Sequence, residues 1–152
     1  MEVVATNRRA RFEYEILDSI EAGIQLTGPE VKSARARNVS LAEAYATIEG
    51  GQAWLHSMHM ARYDAGGFAE QNPTRRRKLL LHKREIARLE RDIQQKGVTL
   101  IPLRMYFGSS GYAKVELGVG RGKRQYEKRE SIKKRDEKRR TDRAVADFYK
   151  KK

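Results

Sequence analysis

Residues 98–119, VTLIPLRMYFGSSGYAKVELGV, carry a clear hairpin pattern. Val98–Phe107 and Tyr112–Val119 each predict a β-strand. The segment Gly108-Ser-Ser-Gly111 between them is typical of a turn, so the two strands are predicted to pair as a hairpin. The remaining elements are predicted on the N-terminal side of this hairpin.

A charged helix is predicted immediately before the hairpin. Ile86, Leu89 and Ile93 recur at helical spacing, and Gly97 follows where a C-cap glycine is expected. Residues 83–95 are therefore predicted to form a helix with one apolar face and a charged outer face.

The N-terminal part of the chain shows a strand pattern followed by a helix signal. Apolar and charged side chains alternate in residues 12–16, and a similar period of two continues to about residue 26. Pro29 and Glu30 then suit the first turn of a helix, because proline is tolerated there and an acid complements the helix dipole. Residues 29–37 are predicted to form this short helix.

The middle of the chain completes the predicted domain. Residues 41–49 and 52–60 are predicted as strands around Gly50-Gly51, a favourable hairpin turn, and residues 61–74 as a long, mobile loop. About six strands with short helices make the fold class mainly β. A small closed barrel disposes of the sheet edges best, so an OB-like RNA-binding barrel is predicted for residues 1–120.

Charge is concentrated at the C-terminal end. The 152-residue chain has a formal net charge of +13, and +9 of this excess falls in residues 121–152. A basic tail indicates an anionic partner, either nucleic acid or an acidic membrane surface. A membrane-surface helix needs a long apolar face, which this tail lacks, so nucleic acid is favoured and no membrane partner is expected.

Residues 121–152 are predicted to form a basic tail outside the barrel. Between 121 and 143, only Tyr126 and Ile132 are large apolar or aromatic residues, so burial cannot offset the entropy of ordering. The tail is therefore predicted to be disordered when free. Acid–base pairs four residues apart, such as Glu130 and Lys134, favour a helix once a partner is bound.

Several kinds of chemistry are not indicated by the sequence. The chain has no cysteine, which excludes disulfides, thiolate catalysis and cysteine-ligated zinc. His56 and His59 lie three apart on a predicted strand and point to opposite faces, which argues against a metal site. No nucleophile with a base and no phosphate-binding glycine loop is apparent. We expect no enzyme activity, no cofactor and no metal, and a cytoplasmic location because signal and membrane segments are absent.

Three basic segments are candidates for RNA contact. Arg75-Arg76-Arg77-Lys78 offers guanidinium groups that match phosphate in bidentate geometry, although a solvated loop is the simpler alternative. Asn7-Arg-Arg-Ala-Arg11 is equally compatible with an RNA contact and with a frayed terminus. In Gly120–Arg129, the glycines allow close approach and Tyr126 suits stacking on an unpaired base.

Together these segments resemble the SsrA-binding protein family of bacteria, also called small protein B. The resemblance runs from Asn7 to about Arg143. The motifs that carry it are Asn7-Arg-Arg-Ala-Arg11, Glu21-Ala-Gly23, Gly28-Pro-Glu-Val-Lys-Ser33, Pro73-Thr-Arg-Arg-Arg-Lys-Leu-Leu-Leu81, Gly111–Arg129 and Ile132-Lys-Lys-Arg-Asp136. Their combination is specific, whereas each motif alone is not.

The resemblance implies a function in trans-translation, the rescue of stalled ribosomes. It implies an OB-like barrel that binds the tRNA-like domain of transfer-messenger RNA (tmRNA). It also implies a tail that lies in the empty mRNA channel and senses that no message is present. The implied partners are tmRNA, the ribosome with its small-subunit rRNA, and elongation factor Tu through the complex, with the protein itself a monomer.

The resemblance implies contacts at Glu21, Leu80, Lys114, Gly122 and Glu127-Lys128-Arg129, and the basic segments add the other candidates. The predicted RNA-binding residues are Asn7, Arg8, Glu21, Arg75, Arg77, Lys78, Leu80, Lys114, Gly122, Lys123 and Arg124. The predicted ribosome-contacting tail residues are Tyr126, Glu127, Lys128, Arg129, Lys133, Lys134 and Arg135. Glu127 stands where the family usually has aspartate. A carboxylate at Glu21 can accept hydrogen bonds from base amino groups or 2′-hydroxyls, so its contact would supply specificity.

Two other functions remain open from the sequence alone. A ribosomal protein or ribosome-assembly factor would share the charge and the basic tail. An RNA-processing nuclease is a third possibility from another class, although no residue pattern argues for one.

Overall fold

The computed structural model describes residues 1–62 and 72–123. This part of the chain is mainly β with three short helices, which confirms the predicted fold class. The strands are β1 (Glu2–Thr6), β2 (Tyr14–Ile24), β3 (Val39–Ser40), β4 (Tyr45–Glu49), β5 (Gln52–His56), β6 (His59–Met60), β7 (Arg77–Leu80), β8 (Thr99–Phe107) and β9 (Ala113–Gly122). The helices are α1 (Ala10–Glu13), α2 (Gly28–Arg35) and α3 (Lys83–Lys96), and none of the three combines the length and apolar character needed to cross a bilayer.

Seven strands form one sheet that closes on itself. Their order is β1-β8-β4-β5-β7-β2-β9, and β8 pairs additionally with β9. The six strands from β8 round to β9 therefore form a closed cycle, while β1 has β8 as its only pairing partner in the part of the chain that the structure describes. The pairing between β4 and β8 is the shortest in the cycle. Among the described residues, Ala46 opposite Leu100 is the only registered pair between these two strands.

The core lies inside this cycle. Successive side chains of a strand point to opposite faces, so alternate residues of β5, β8, β9 and the second half of β2 contribute to it. Leu55, Met105, Val115 and Leu117 are fully buried there. A smaller apolar cluster lies apart from it, where Ala10 of α1 belongs to the same cluster as Ile101 and Leu103 of β8.

The two predicted hairpins are present. In the β8–β9 hairpin, residues Thr99 to Phe107 of β8 pair with β9. The β4–β5 hairpin turns at Gly50 and Gly51, whose φ angles of 59° and 74° lie in the left-handed region that a two-residue turn of this kind requires. Both flanking strands are shorter than predicted. β4 begins only at Tyr45, and β5 ends at His56, before Ser57, which has a positive φ of 60°. β6 then pairs with β3 in a separate two-stranded sheet.

The predicted helices are also present, with small differences in their limits. α3 is followed by Gly97 in the left-handed conformation, as expected for a C-cap glycine. α2 follows Thr27, whose side chain accepts from the backbone N–H of Glu30, while the Glu30 carboxylate accepts from the N–H of Thr27. This capping box fixes the start of α2, which ends at Arg35, before the predicted end at residue 37.

Three features of the N- and C-terminal elements differ from the sequence predictions. The described residues contain nine strands, more than the six expected, and β1 was missed. Residues 10–13 form α1, so Phe12 is helical and β2 begins only at Tyr14. β9 runs through Gly122, two residues past the predicted barrel boundary at residue 120. The predicted loop residues 63–71 and the tail from residue 124 lie outside the described residues, so their predictions remain predictions.

The prediction that Arg77 contacts RNA phosphate is wrong for this structure. Arg77 is fully buried at the start of β7. Its Nε donates to the Glu30 carboxylate at 2.6 Å, and its two terminal nitrogens donate to the backbone oxygens of Met58 at 2.7 Å and Pro73 at 3.1 Å. The guanidinium is thus engaged within the protein. Strand alternation is the reason, because it turns Arg77 inward.

Its neighbours Arg75 and Arg76 are engaged elsewhere. Arg75 also donates to the Glu30 carboxylate, from Nε at 3.0 Å. The Arg76 guanidinium lies 4.0 Å from the centre of the Trp54 ring and pairs with Glu49 at 3.0 Å. The run of cations therefore does not present one continuous phosphate-binding surface.

Glu30 is buried and charged. Burial alone would raise its pKa, but the hydrogen bonds from Arg75 and the Thr27 backbone and the charge of Arg77 outweigh this effect and lower the pKa below its ordinary value. Breaking a buried ion pair by removing one partner leaves an uncompensated charge, which is strongly destabilising.

Glu30→Gln should therefore lower the free energy of unfolding by about 3–5 kcal/mol at neutral pH. The matched control is Glu49→Gln, which breaks the Arg76 pair where both side chains are about half exposed, and should cost about 0–1 kcal/mol. Denaturant unfolding of both variants measures the difference. Equal losses in the two variants would contradict a special role for the buried pair.

The contribution of Glu30 to the free energy of unfolding should also decrease as the pH falls. Its pKa in the folded state lies below the ordinary value of 4.5, so the unfolded chain binds the proton first as the pH falls. The stability that Glu30 adds is present above that ordinary value and is lost as the pH falls through the folded-state pKa. The gap between the wild-type protein and Glu30→Gln should accordingly narrow in acid.

Candidate RNA interface

Three adjacent strands bring three of the predicted RNA-binding residues together. Antiparallel partners that lie directly opposite each other point to the same face. Gly23 of β2 lies opposite Leu80 of β7 on one side and opposite Lys114 of β9 on the other. Glu21 lies two residues before Gly23 and shares its outward face. Glu21, Leu80 and Lys114, which are far apart in sequence, therefore form one surface.

Gly23 has no side chain and leaves room on this surface for the side chain of Leu80. A Cβ atom added at Gly23 would come within 3.2 Å of the Leu80 Cβ, so the Leu80 side chain lies against the glycine backbone. Leu80 nevertheless remains 52% exposed. An apolar side chain that is held in place and exposed beside charged groups is suited to contact a partner.

The Glu21 carboxylate is held by two donors. The Tyr106 hydroxyl donates to Oε2, and Lys114 Nζ donates to Oε1 at 2.9 Å. The hydrogen bond from Tyr106 and then that from Lys114 lower the pKa of Glu21. The side chain is half exposed, so a fixed and charged carboxylate faces solvent.

Tyr106 remains a hydrogen-bond donor throughout the physiological pH range. It lies opposite Lys114 in the β8–β9 hairpin, and its ring is buried. Burial and the hydrogen bond to Glu21 raise the pKa of Tyr106 to about 12. The phenol is therefore protonated whenever Glu21 is ionised near neutral pH.

A second charged pair lies next to the first on the same face. Glu116 is directly opposite Glu21 across β2 and β9. Arg104 Nε donates to the Glu116 carboxylate at 2.8 Å, and its guanidinium lies 5.3 Å from the centre of the Tyr106 ring. The surface thus alternates acids and bases, and its charges are largely balanced.

Sequence reasoning missed Tyr106, Arg104 and Glu116 as members of this surface. The available signal was the period of two in the hairpin, which places Arg104 and Tyr106 on the face of Lys114 and Glu116. Using it required the register of β8 against β9, which shifts between Pro102 and Arg104.

Comparison with known proteins identifies the family. The family model described as SmpB protein matches residues 4–147. The chain belongs to the SmpB family. It is 56% identical over 134 residues to the SsrA-binding protein of Chlorobaculum tepidum, covering 88% of this chain and 85% of that protein. It is 49% identical over 146 residues to the SsrA-binding protein of Limosilactobacillus reuteri, covering 96% and 92%.

A solved structure from the SmpB family has the same fold. It is described as "tmRNA-SmpB: a journey to the center of the bacterial ribosome" and is 48% identical to this chain. The match has a TM-score of 0.67 and covers 84% of this chain and 92% of that chain. The family resemblance inferred from the sequence motifs is therefore confirmed.

Among the other predicted contact residues, Lys78 shares the outward face of Leu80 on β7, and the rest lie elsewhere or outside the described residues. Asn7 Nδ2 donates to the Pro102 backbone oxygen at 3.0 Å, so this side chain anchors the chain to β8. Arg8 is exposed, and Lys78 is half-buried on β7. Gly122 is paired at the end of β9. Lys123 follows it, while Arg124 and the predicted tail contacts are outside the described range.

The hydrogen bond from Tyr106 can be tested by its effect on Glu21. Tyr106→Phe keeps the buried ring and removes the hydroxyl, so the pKa of Glu21 should rise towards its ordinary value of 4.5. Tyr112→Phe, in the same hairpin but 75% exposed, is the control and should leave that pKa unchanged. NMR titration of the Glu21 side-chain carboxyl carbon measures the shift. An unchanged pKa in Tyr106→Phe would show that the hydroxyl does not hold the carboxylate.

Proposed function

We propose that this protein is an RNA-binding adaptor that binds the tRNA-like domain of tmRNA and brings it to stalled ribosomes for trans-translation. The observation that carries the proposal is the surface of Glu21, Leu80 and Lys114, built from three neighbouring strands. The names of its relatives, SsrA-binding proteins, and a solved tmRNA-SmpB structure support the same RNA and the ribosome as partners.

The chemistry of the surface suits specific RNA recognition. A fixed carboxylate accepts hydrogen bonds from base amino groups or 2′-hydroxyls, which is a contact that phosphate-binding cations cannot make. Lys114 supplies a cation beside it for a phosphate, and Leu80 supplies apolar contact. Because Tyr106 and Lys114 already hold Glu21, little side-chain entropy is lost on binding.

The closed cycle of strands fits an OB-like barrel, a fold that uses a sheet face and its loops to bind oligonucleotides. We assign no catalytic role to the protein. In residues 1–62 and 72–123, no group of three or more His, Cys, Asp or Glu side chains could hold a metal ion. The protein acts as a monomer and reaches elongation factor Tu only through the tmRNA complex.

The basic tail from residue 121 serves the ribosome. We expect it to enter the empty mRNA channel as a helix, where phosphates of small-subunit rRNA neutralise the +9 charge of residues 121–152. Tyr126 to Arg129 and Lys133 to Arg135 are the residues we expect to make these contacts. Occupation of the channel by this tail reports that no message is present.

Neutralising Glu21 should weaken specific RNA binding. Glu21→Gln removes an acceptor, so affinity for the tRNA-like domain should fall, while the slope of log affinity against log salt stays nearly constant because no phosphate contact is lost. Glu49→Gln is the matched control, because Glu49 is also a half-exposed carboxylate in an ion pair but is not part of the Glu21 surface. Fluorescence anisotropy at several salt concentrations measures both quantities. A gain of affinity in Glu21→Gln would mean that this carboxylate only repels RNA.

Core binding should survive loss of the tail. Truncation after Lys123 preserves β9, whose last residue Gly122 pairs with Tyr14, and should retain binding to the tRNA-like domain. Ribosome rescue should be lost, because the tail is absent. A peptide-tagging assay on stalled ribosomes, run beside the RNA-binding assay, separates the two activities. Simultaneous loss of both in a folded truncation would rule out this division of roles.

A further inference from the structure

The outward face of α3 carries a stripe of arginines. With 3.6 residues per turn, Arg84, Arg88 and Arg91 fall within a sector of about 60° on one side of the helix. All three are exposed. The opposite side bears Ile86 and Leu89, which are buried. The stripe therefore points directly away from the core and extends over about 10 Å of the helix.

This arrangement conflicts with local helix energetics. Arg84 and Arg88 are four residues apart, and Arg88 and Arg91 are three apart, so like charges face each other at the spacings where opposite charges would stabilise the helix. Within the described ranges, Arg84 and Arg91 form no ion pair, and Arg88 pairs only with Asp18, at 2.9 Å. α3 has well-defined ends, yet its arginines violate the rule that like charges should not be three or four residues apart on a helix. Such a violation is an indication of function.

The other charges of α3 lie at the sides of the stripe. Lys83 and Glu90 are on one side, and Asp92 and Lys96 are on the other, 3.7 Å apart as an ion pair. Glu85 is turned towards the N-terminal end, where it accepts from the His82 backbone. The stripe is thus a strip of guanidinium groups bordered by mixed charge, in which only Arg88 has an ion-pair partner among the described residues.

We propose that the Arg84–Arg88–Arg91 stripe of α3 is a second RNA-contacting surface, which binds the phosphate backbone independently of base sequence. Guanidinium groups match phosphate in bidentate geometry. α3 contains no aromatic residue that could stack on an unpaired base, so the contact is to the backbone. A lipid surface fits less well, because the apolar side of the helix is buried against the core and is unavailable for insertion.

The stripe is separate from the Glu21 surface. Asp18, the partner of Arg88, lies three residues before Glu21 on β2, about 10 Å along the strand, and the two side chains point to opposite faces of that strand. This inference rests on the proposed RNA-binding function and adds to it a contact that contributes affinity. The phosphates belong either to the tRNA-like domain or to ribosomal RNA, and the experiment has an arm for each.

The test compares two charge-matched double variants of the full-length protein. Arg84→Gln with Arg91→Gln removes two cations from the stripe, whereas Lys83→Gln with Lys96→Gln removes two exposed cations from the sides of the same helix. Binding is measured over a range of salt with tRNA-like-domain transcript and with purified 70S ribosomes. With at least one partner, the arginine variant should lower the salt slope by about two units, and the lysine variant by clearly less.

A third variant should change RNA affinity in the opposite direction. Asp18→Asn removes an acid beside the stripe and releases Arg88, so RNA affinity should rise at low salt and return to the wild-type value at high salt. Indistinguishable arginine and lysine variants with both partners would overturn the inference. So would a loss in the arginine variant that is confined to vesicles of anionic lipid.

The proposed function itself fails in a different way. If the wild-type protein and Glu21→Gln bound the tRNA-like transcript equally and no more tightly than an unrelated RNA, the adaptor role would be wrong whatever the α3 variants did. Thermal unfolding of each variant should stay close to that of the wild-type protein, because the altered side chains are exposed and exposed charge pairs contribute little to stability.

Discussion

A buried ion pair connects parts of the chain that are 47 residues apart. Glu30 stands in the first turn of α2, and Arg77 opens β7. Because the Arg77 guanidinium also donates to the backbone oxygens of Met58 and Pro73, it ties four segments to one point. A buried charge has few positions in which it is fully paired. This network therefore fixes how deeply the first residue of β7 is buried and the direction in which the strand begins.

The candidate RNA interface depends on that start. Strand alternation turns Arg77 inward and, three residues later, turns Leu80 outward onto Gly23 of β2. A shift of one residue in β7 would bury Leu80 and expose Leu79, which lies in the core. The buried pair therefore sets the register that places Leu80 beside Glu21, although Glu30 and Arg77 are not themselves part of the interface.

Local signals in the sequence predicted local structure well, and long-range pairing limited the rest. Gly50-Gly51 and the Gly97 cap mark their turns whatever the tertiary context. The four consecutive cations at 75–78 look alike in sequence, and only the position of β7 shows that Arg77 is inside and Arg76 outside. Glu21, Leu80 and Lys114 came from family resemblance. Tyr106, which holds Glu21, was missed because it reaches that carboxylate through the register of β8, β9 and β2.

The distribution of charge implies a separation between specificity and affinity. On the Glu21 surface, acids and bases are paired, as in Glu21 with Lys114 and Glu116 with Arg104. Such a surface has little net attraction for phosphate at a distance, so it discriminates by fixed hydrogen-bonding groups. The excess positive charge lies instead on α3 and in residues 121–152, where it attracts any RNA backbone. An adaptor organised in this way would be held near RNA by its basic regions, and its β-sheet surface would then select the correct one.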